Sequence, residues 1–369
     1  MIWYMTLTLQ KGIDPYTNKT IWVMLDENYE VVEPIQRYLT SLTATRSPNT
    51  VKAYGTDLKR WWEFLHYKSL DWRNVNLHQD LEDFAYWLRV GDTSNVISLQ
   101  PVEAKRSEKS INRAITAVST FYDYHLCNKT VDFSQFERFH AVYKTGNTRV
   151  GTTGILTGIA KAKPTREKLV KLKETTKFPG CLTDEEIETL VDTCDHLRDK
   201  LMILMFNGTG MRKGELLGLK NEDIGDFGDY FVRVVRREDN PNGALAKGQD
   251  RTIPVTKELL QLYDEYLMKE YPATDSEYVF VNIWEGDIGA PIMINLPNKI
   301  LNNLEKKTGI KAYPHLFRHT YATRLLRANY SPERVKYLLG HASIATTLDI
   351  YSHVINEANL WEVIEREEE

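Results

Sequence analysis

The feature that most limits what this chain can fold into is the place where its apolar periodicity stops. Apolar residues recur at helical spacing from Pro34 to Leu126 and again from Thr183 onward. Between these blocks lies a stretch without such a stripe: Gly146–Gly158 is rich in Gly and Thr, and a basic run follows it. A segment with no buried face cannot join the two blocks into one core, so the chain is expected to build two. A length of 369 residues suits two domains.

Within the first block, residues 1–30 predict a β-hairpin: Trp3–Leu9 alternates, Asp14-Pro15 starts a turn, and Thr20–Met24 returns. Pro34–Leu42 predicts a short helix. Ser47-Pro48-Asn49 opens a second, whose Val51, Tyr54, Leu58, Trp61, Trp62 and Leu65 share a face. Leu77–Leu88 and Ile111–Leu126 add two more, giving a helical bundle over 31–145 and a basic linker over 146–180.

The second block opens with a capping box, Thr183 and Glu186, ahead of the apolar stripe Ile187, Leu190, Val191 and Cys194. Leu201–Phe206 is a buried helix ending at Gly208-Thr209-Gly210, and Arg212–Leu217 a short one. Tyr230–Arg236 and Arg251–Val255 pair as a hairpin with a long Gly/Asn/Pro loop. Helices are expected at Lys257–Tyr271, Leu296–Thr308, His315–Ala328, Ser331–Leu339, Ile344–Ile350 and Asn356–Arg366. The expected fold is therefore mainly α: a helical N-terminal domain after a β-hairpin, then an α+β domain over 181–355 and a terminal helix over 356–369.

Charge is informative only when split. The whole chain carries 47 basic and 51 acidic residues, so no global field announces a polyanionic partner. Residues 1–180, however, hold 25 basic and 19 acidic residues, and Lys161–Lys177 alone holds seven basic ones against Glu167 and Glu174. That run is either a solvated linker or a strip lying along a phosphate backbone. The longest apolar stretch, around Leu201–Phe206, is too short for a bilayer, and the start of the chain lacks a secretory pattern. Three cysteines give neither a disulfide framework nor zinc spacing, so a cytoplasmic protein is expected.

Several motifs fail. Gly208-x-Gly210 lacks a correctly spaced third glycine, no Gly-x-x-x-x-Gly-Lys occurs, and His315 and His319 are followed by no zincin glutamate, since Leu316 stands after His315. What remains is a set of cations near turns and one tyrosine. Arg212 follows Gly210-Met211, with Glu215 one turn on. Lys247 stands at the hairpin tip, His315 and Arg318 share a helix face, and His341 follows Gly340, ten residues before Tyr351. Such a set suits attack on a phosphodiester. Two guanidiniums can clamp the non-bridging oxygens of a pentacoordinate phosphorane in two-pronged fashion. A tyrosine can attack if a neighbouring imidazole takes its proton, and a lysine can protonate the leaving 5′ oxygen. No Asp/Glu cluster has two-metal spacing, so no metal or other cofactor is expected.

The runs Gly210-Met211-Arg212-Lys213-Gly214-Glu215-Leu216, Pro314-His315-Leu316-Phe317-Arg318-His319-Thr320 and Leu339-Gly340-His341-Ala342-Ser343-x-x-Thr346-Thr347-x-x-x-Tyr351 resemble the three signature boxes of the tyrosine recombinase (phage integrase) family. The helical segment with Ser47-Pro48-Asn49-Thr50-Val51-x-x-Tyr54 and Ser110-Ile111-Asn112-Arg113 is similar to that family's SAM-like core-DNA-binding domain. The resemblance implies that Arg212, Arg318 and His341 bind the scissile phosphate and that His315 is the base or proton shuttle. It further implies Lys247 as general acid, Tyr351 as the nucleophile that forms a 3′-phosphotyrosyl link, and Glu215 as their support. It points to Thr50, Lys52 and Arg113 as DNA contacts, and the basic run adds Lys168 and Lys171 if it lies along a phosphate backbone. The implied partners are double-stranded recombination sites, four copies of the chain assembled on two sites through the terminal helix, and accessory recombination proteins. The N-terminal hairpin, long linker and Glu238–Gly243 segment look most like the transposases of mobile elements, with a Xer-type dimer resolvase as the alternative. Outside enzymology stands an inactive DNA-binding relative, and outside the family a metal-dependent hydrolase using His315, His319, His341 and His353. The hairpin itself is either an arm that binds DNA or a strand pair packed on the bundle.

Overall fold

A computed structural model describes residues 7–18, 20–91, 105–131, 143–144, 165–166, 170–173, 180–225, 230–237, 240–246, 248–284, 286–348, 350–352 and 354. The chain divides into two compact units, Met1–Thr176 and Lys177–Glu369.

The first unit begins with an antiparallel hairpin, β1 (Thr8–Ile13) and β2 (Thr20–Leu25), in which Ile13 faces Thr20 and Thr8 faces Leu25. The return strand lies where the sequence places it, but its partner does not. Asp14 closes the turn by accepting the amides of Tyr16 and Thr17 at 2.8 and 3.3 Å. A turn closed there pairs the residues just before it with those just after, which leaves only Thr8 and Leu9 of the alternating stretch opposite β2. Residues 1–6 lie outside the described residues. The hairpin is packed on the bundle: Leu7 and Met24 are buried in the same apolar cluster as Ile35, Leu58 and Trp61. Gln36 ties it down, accepting the Met24 amide at 3.1 Å and donating to the Trp22 carbonyl at 3.3 Å. Gly55 lets α2 (Pro48–Tyr67) approach, because a Cβ there would come within 2.9 Å of the Leu9 side chain.

Around α2 stand α1 (Glu33–Thr43), α3 (Leu77–Val90) and α4 (Glu108–Cys127). Ser47 and Ser107 cap α2 and α4. Trp61 fills the centre against Phe64 and Phe84, and its indole donates to the Tyr122 hydroxyl at 3.2 Å. Two-residue strands β3 (Tyr143–Lys144) and β4 (Thr165–Arg166) pair antiparallel. Residues 170–173 are bound to α4 rather than free. The Asn112 amide exchanges two hydrogen bonds, both 2.9 Å, with the backbone of Leu172. Leu172 and Val170 pack on the core while Lys171 and Lys173 are exposed.

In the second unit, α5 (Asp184–Asp192) carries the Thr183/Glu186 capping box. The buried helix α6 (Leu197–Thr209) packs between α8 (Lys257–Lys269) and α10 (Pro314–Arg327), its Phe206 stacked on Phe317. The rest of the unit holds a short α7 (Lys213–Leu217), the hairpin β5 (Phe231–Val234) and β6 (Arg251–Pro254), α9 (Leu296–Thr308) and α11 (Pro332–Leu339), and residues 344–348 and 350–352 are again helical. The long β5–β6 loop is bolted to the core. Asn242 Nδ2 donates to the carbonyls of Leu217 and Ile292, both at 3.0 Å, and its Oδ1 accepts the Ala244 amide at 3.0 Å. Gly214 on α7 receives this loop, since any Cβ there would strike the Leu245 backbone.

Candidate active site

Two left-handed glycines shape the site. Gly210 (φ 60°) ends α6 and turns the chain so that Arg212 starts α7, while Gly340 (φ 63°) ends α11 just before His341. Each helix end leaves carbonyls without helical partners, and arginines take them. Arg318 donates to the carbonyls of Gly210 at 2.9 Å and Leu339 at 2.6 Å. Arg212 donates to Gly340 at 3.0 Å and Leu339 at 3.4 Å. Arg251, at the start of β6, donates through Nε to Leu338 at 2.8 Å. Two signature boxes far apart in sequence thus meet at one carbonyl, that of Leu339 in the third.

Glu215 is the only carboxylate bonded into this cluster among the described residues. It accepts Arg251 at 2.6 and 3.3 Å, Arg212 Nη1 at 2.8 Å, and the Arg212 amide at 2.9 Å. Burial alone would raise its pKa, but the Arg251 hydrogen bonds and charge, then Arg212, hold it below the usual carboxylate value. Three guanidiniums against one carboxylate leave two positive charges to be met by an incoming anion. Burial first, then Arg212, presses Arg318 down to about 9, which still leaves it cationic at neutral pH. A cavity of about 570 Å³ opens beside the cluster, lined by Arg236, Gly248, Arg251, Lys336 and His341.

The imidazoles sit differently from one another. His315, on the first turn of α10, is exposed, and lost hydration followed by Arg318, Arg212 and Lys213 lowers its pKa. His341 is bonded through Nδ1 to Thr347 Oγ1 at 2.9 Å and pushed down to about 4 by burial and then by Arg318, Arg212 and Arg251. Tyr351, only 2% exposed, lies among Ala322, Leu326, Val335 and Leu339. Its hydroxyl meets neither His315 nor His341 but His319 Nδ1, at 2.8 Å. Burial pushes Tyr351 up to about 12 and His319 down to about 4, His315 and Arg318 adding to the latter.

Sequence reasoning thus missed the place of two residues in this cluster: Arg251, and His319, which it weighed only as a metal ligand and not as the partner of Tyr351. The first had a signal: Arg251 shares the buried face of β6 with Ile253, and a charge on an apolar strand face needs a partner. The second had none, because the contact spans 32 residues and depends on packing.

The other residues singled out from sequence are distributed as follows. Lys247 lies outside the described residues; its neighbour Gly248 is so close to Arg212 and Arg251 that a Cβ would come within 3.3 Å of both guanidiniums. In the first unit, Thr50 is half-buried and bonded to Ser47 at the α2 cap, and Lys52 sits 4.8 Å over the Trp22 ring. Arg113 is exposed yet held by the buried Asp57 at 2.8 and 3.2 Å. Lys171 is exposed, and Lys168 lies outside the described residues. So do His353 and the terminal segment 356–369. No three His, Cys, Asp or Glu side chains among the described residues gather as a metal site, and no described helix is long and apolar enough to cross a membrane.

Comparison with known proteins agrees with this geometry. Residues 181–357 match the phage integrase family, and residues 35–128 match the phage integrase N-terminal SAM-like domain. Transposase A from transposon Tn554 of Staphylococcus aureus is 34% identical over 340 residues, 91% of each chain. Tyrosine recombinase XerA of Pyrococcus furiosus is 36% identical over 202 residues, 54% of this chain and 66% of its own. Among solved structures, the Tn1549 transposon integrase in complex with transposon right end DNA shares the fold, with a TM-score of 0.58 at 20% identity over 90% of this chain and 99% of its own. The chain belongs to the phage integrase family: it is a tyrosine recombinase.

Proposed function

We propose that this recombinase serves a mobile element, cutting and rejoining double-stranded DNA through a 3′-phosphotyrosyl link at Tyr351. The observation that carries the reading is the convergence of Arg212 and Arg318 on the Leu339 carbonyl, beside Gly340-His341 and on the segment that leads to Tyr351. A scissile phosphate entering there replaces neutral carbonyl acceptors with an anion. Both guanidiniums then bind its non-bridging oxygens more strongly as charge grows in the transition state. His341 adds a third donor, His315 shuttles protons, and Lys247, on the loop anchored by Asn242, protonates the departing 5′ oxygen. Glu215 keeps the Arg212 fork aimed by accepting its Nη1 while it is itself held by Arg251. The 34% identity with a transposase across 91% of both chains supports the transposon setting. The similarity to XerA over 202 residues favours resolution of DNA dimers as the second reading. Four copies acting on two sites, coupled by segment 356–369, complete the proposal, with accessory proteins where the element supplies them.

The test is a suicide DNA nicked beside the scissile phosphate. Wild-type protein is expected to be trapped as a covalent adduct on a denaturing gel, in EDTA as well, and Tyr351→Phe to give none while binding the same DNA. An adduct in the phenylalanine variant rejects Tyr351, and loss of the adduct in EDTA rejects chemistry by side chains alone.

A further inference from the structure

A tyrosine can displace a 5′ oxygen from phosphorus only if its own proton has somewhere to go. Tyr351 has little access to water, being 2% exposed, so bulk solvent is a poor acceptor. The geometry points to His319 as that acceptor: Nδ1 lies 2.8 Å from Tyr351 Oη, while His341 Nδ1 is committed to Thr347. His319 follows Arg318 directly on α10, so one helical turn carries both a clamp for the phosphate and a base for the nucleophile. The inference rests on Tyr351 being the nucleophile.

With its proton on Nε2, the neutral imidazole presents the Nδ1 lone pair to the phenol. As the Oη–P bond forms, the phenolic proton passes to Nδ1. As the P–O5′ bond breaks, that oxygen takes a proton from Lys247. Reversal returns the Nδ1 proton to the phenol when the strand is rejoined. Before attack the pair stays neutral, since the buried phenol is held up at about 12 and the imidazole down at about 4. The imidazolium formed during attack is matched by the charge gathering on the phosphorane beside it.

The experiment compares adduct formation by the full-length protein carrying His319→Ala and His319→Gln, each with tyrosine or 3,5-difluorotyrosine at position 351. Glutamine can hold the hydroxyl by a hydrogen bond but cannot take its proton. Both variants are expected to slow adduct formation at least about a hundredfold, the low end for loss of general base catalysis. The more acidic difluorophenol is expected to recover most of that loss, and added imidazole to rescue His319→Ala. Thermal unfolding and DNA affinity near wild type show that the variants fold. Glutamine at wild-type rate, faster cleavage by either variant, or an equal defect with both phenols overturns the inference while leaving Tyr351 as nucleophile. Adduct formation by Tyr351→Phe instead removes the nucleophile itself, and the inference with it.

Discussion

Glu215 and Arg251 form an ion pair at 2.6 Å in which neither side chain is more than 1% exposed. Desolvating two charges costs several kcal/mol each, so the pair stands only because every oxygen of the carboxylate is used and Arg251 also caps α11. Glu215→Ala strands two arginines and is expected to cost about 3–5 kcal/mol in chemical denaturation. The pH dependence has a definite sign. A carboxylate held below its ordinary 4.5 stabilises the fold fully above that value, and the contribution is lost as pH falls through the folded-state pKa. Glu215→Gln should therefore show a flatter stability–pH curve in the acid range, and an unchanged curve would mean that Glu215 is not the group titrating there.

Arg212 and Arg318 should be separable from the rest of the DNA contacts. Removing one preorganised donor from a transition state costs roughly 3 kcal/mol, so Arg212→Ala and Arg318→Ala are each expected to slow adduct formation at least about a hundredfold. Arg318→Lys should fare little better, because an ammonium cannot span the carbonyls of Gly210 and Leu339 as the fork does. Gel-shift affinity should barely move, many other phosphates being held elsewhere. Cleavage at wild-type rate takes that arginine out of the site.

Asn242 fixes the base of the loop that leads to Lys247, so its loss should act on the leaving group. Asn242→Ala abandons the carbonyls of Leu217 and Ile292 and the amide of Ala244. Adduct formation on ordinary DNA should slow by tenfold or more, on the order expected of a weakened general acid. DNA with sulfur in place of the bridging 5′ oxygen departs as a thiolate and needs no proton, so on that substrate the variant should match wild type. An equal defect on both substrates would show that Asn242 acts through the fold at large and not through the lysine.

What the sequence made legible follows the range of the forces involved. Helix limits were readable because caps and apolar stripes are local: Leu296–Thr308 stands as expected, and Thr183/Glu186 forms its box. Glu215 beside Arg212 was readable too, since three residues on a helix start share a face. Contacts made by packing were not. The strand before Asp14 was placed too early, because alternation marks a buried face but the turn sets the register. The Asn112 clamp on Leu172 spans 60 residues, and nothing near either residue in sequence announces it. Arg113 illustrates the same limit: the resemblance names it as a DNA contact, but nothing near it in sequence announces the ion pair with Asp57, 56 residues away.

The Asn112 clamp gives the basic stretch a testable geometry. With Leu172 bonded on both its amide and carbonyl and turned toward the core, Lys171 and Lys173 must project outward on a fixed backbone. Fixed cations bind phosphate with less loss of chain entropy than cations on a free linker. Each phosphate neutralised contributes about 0.9 to the slope of log affinity against log salt. Lys171→Ala with Lys173→Ala should therefore flatten that slope by about two units, uniformly across DNA sequences. Asn112→Ala should weaken DNA binding while leaving the slope nearly intact, because it frees the backbone but keeps both charges. Equilibrium titrations at several salt concentrations measure both. A slope unchanged by the double lysine variant would mean that this segment faces solvent in the complex and that the affinity of the first unit lies elsewhere.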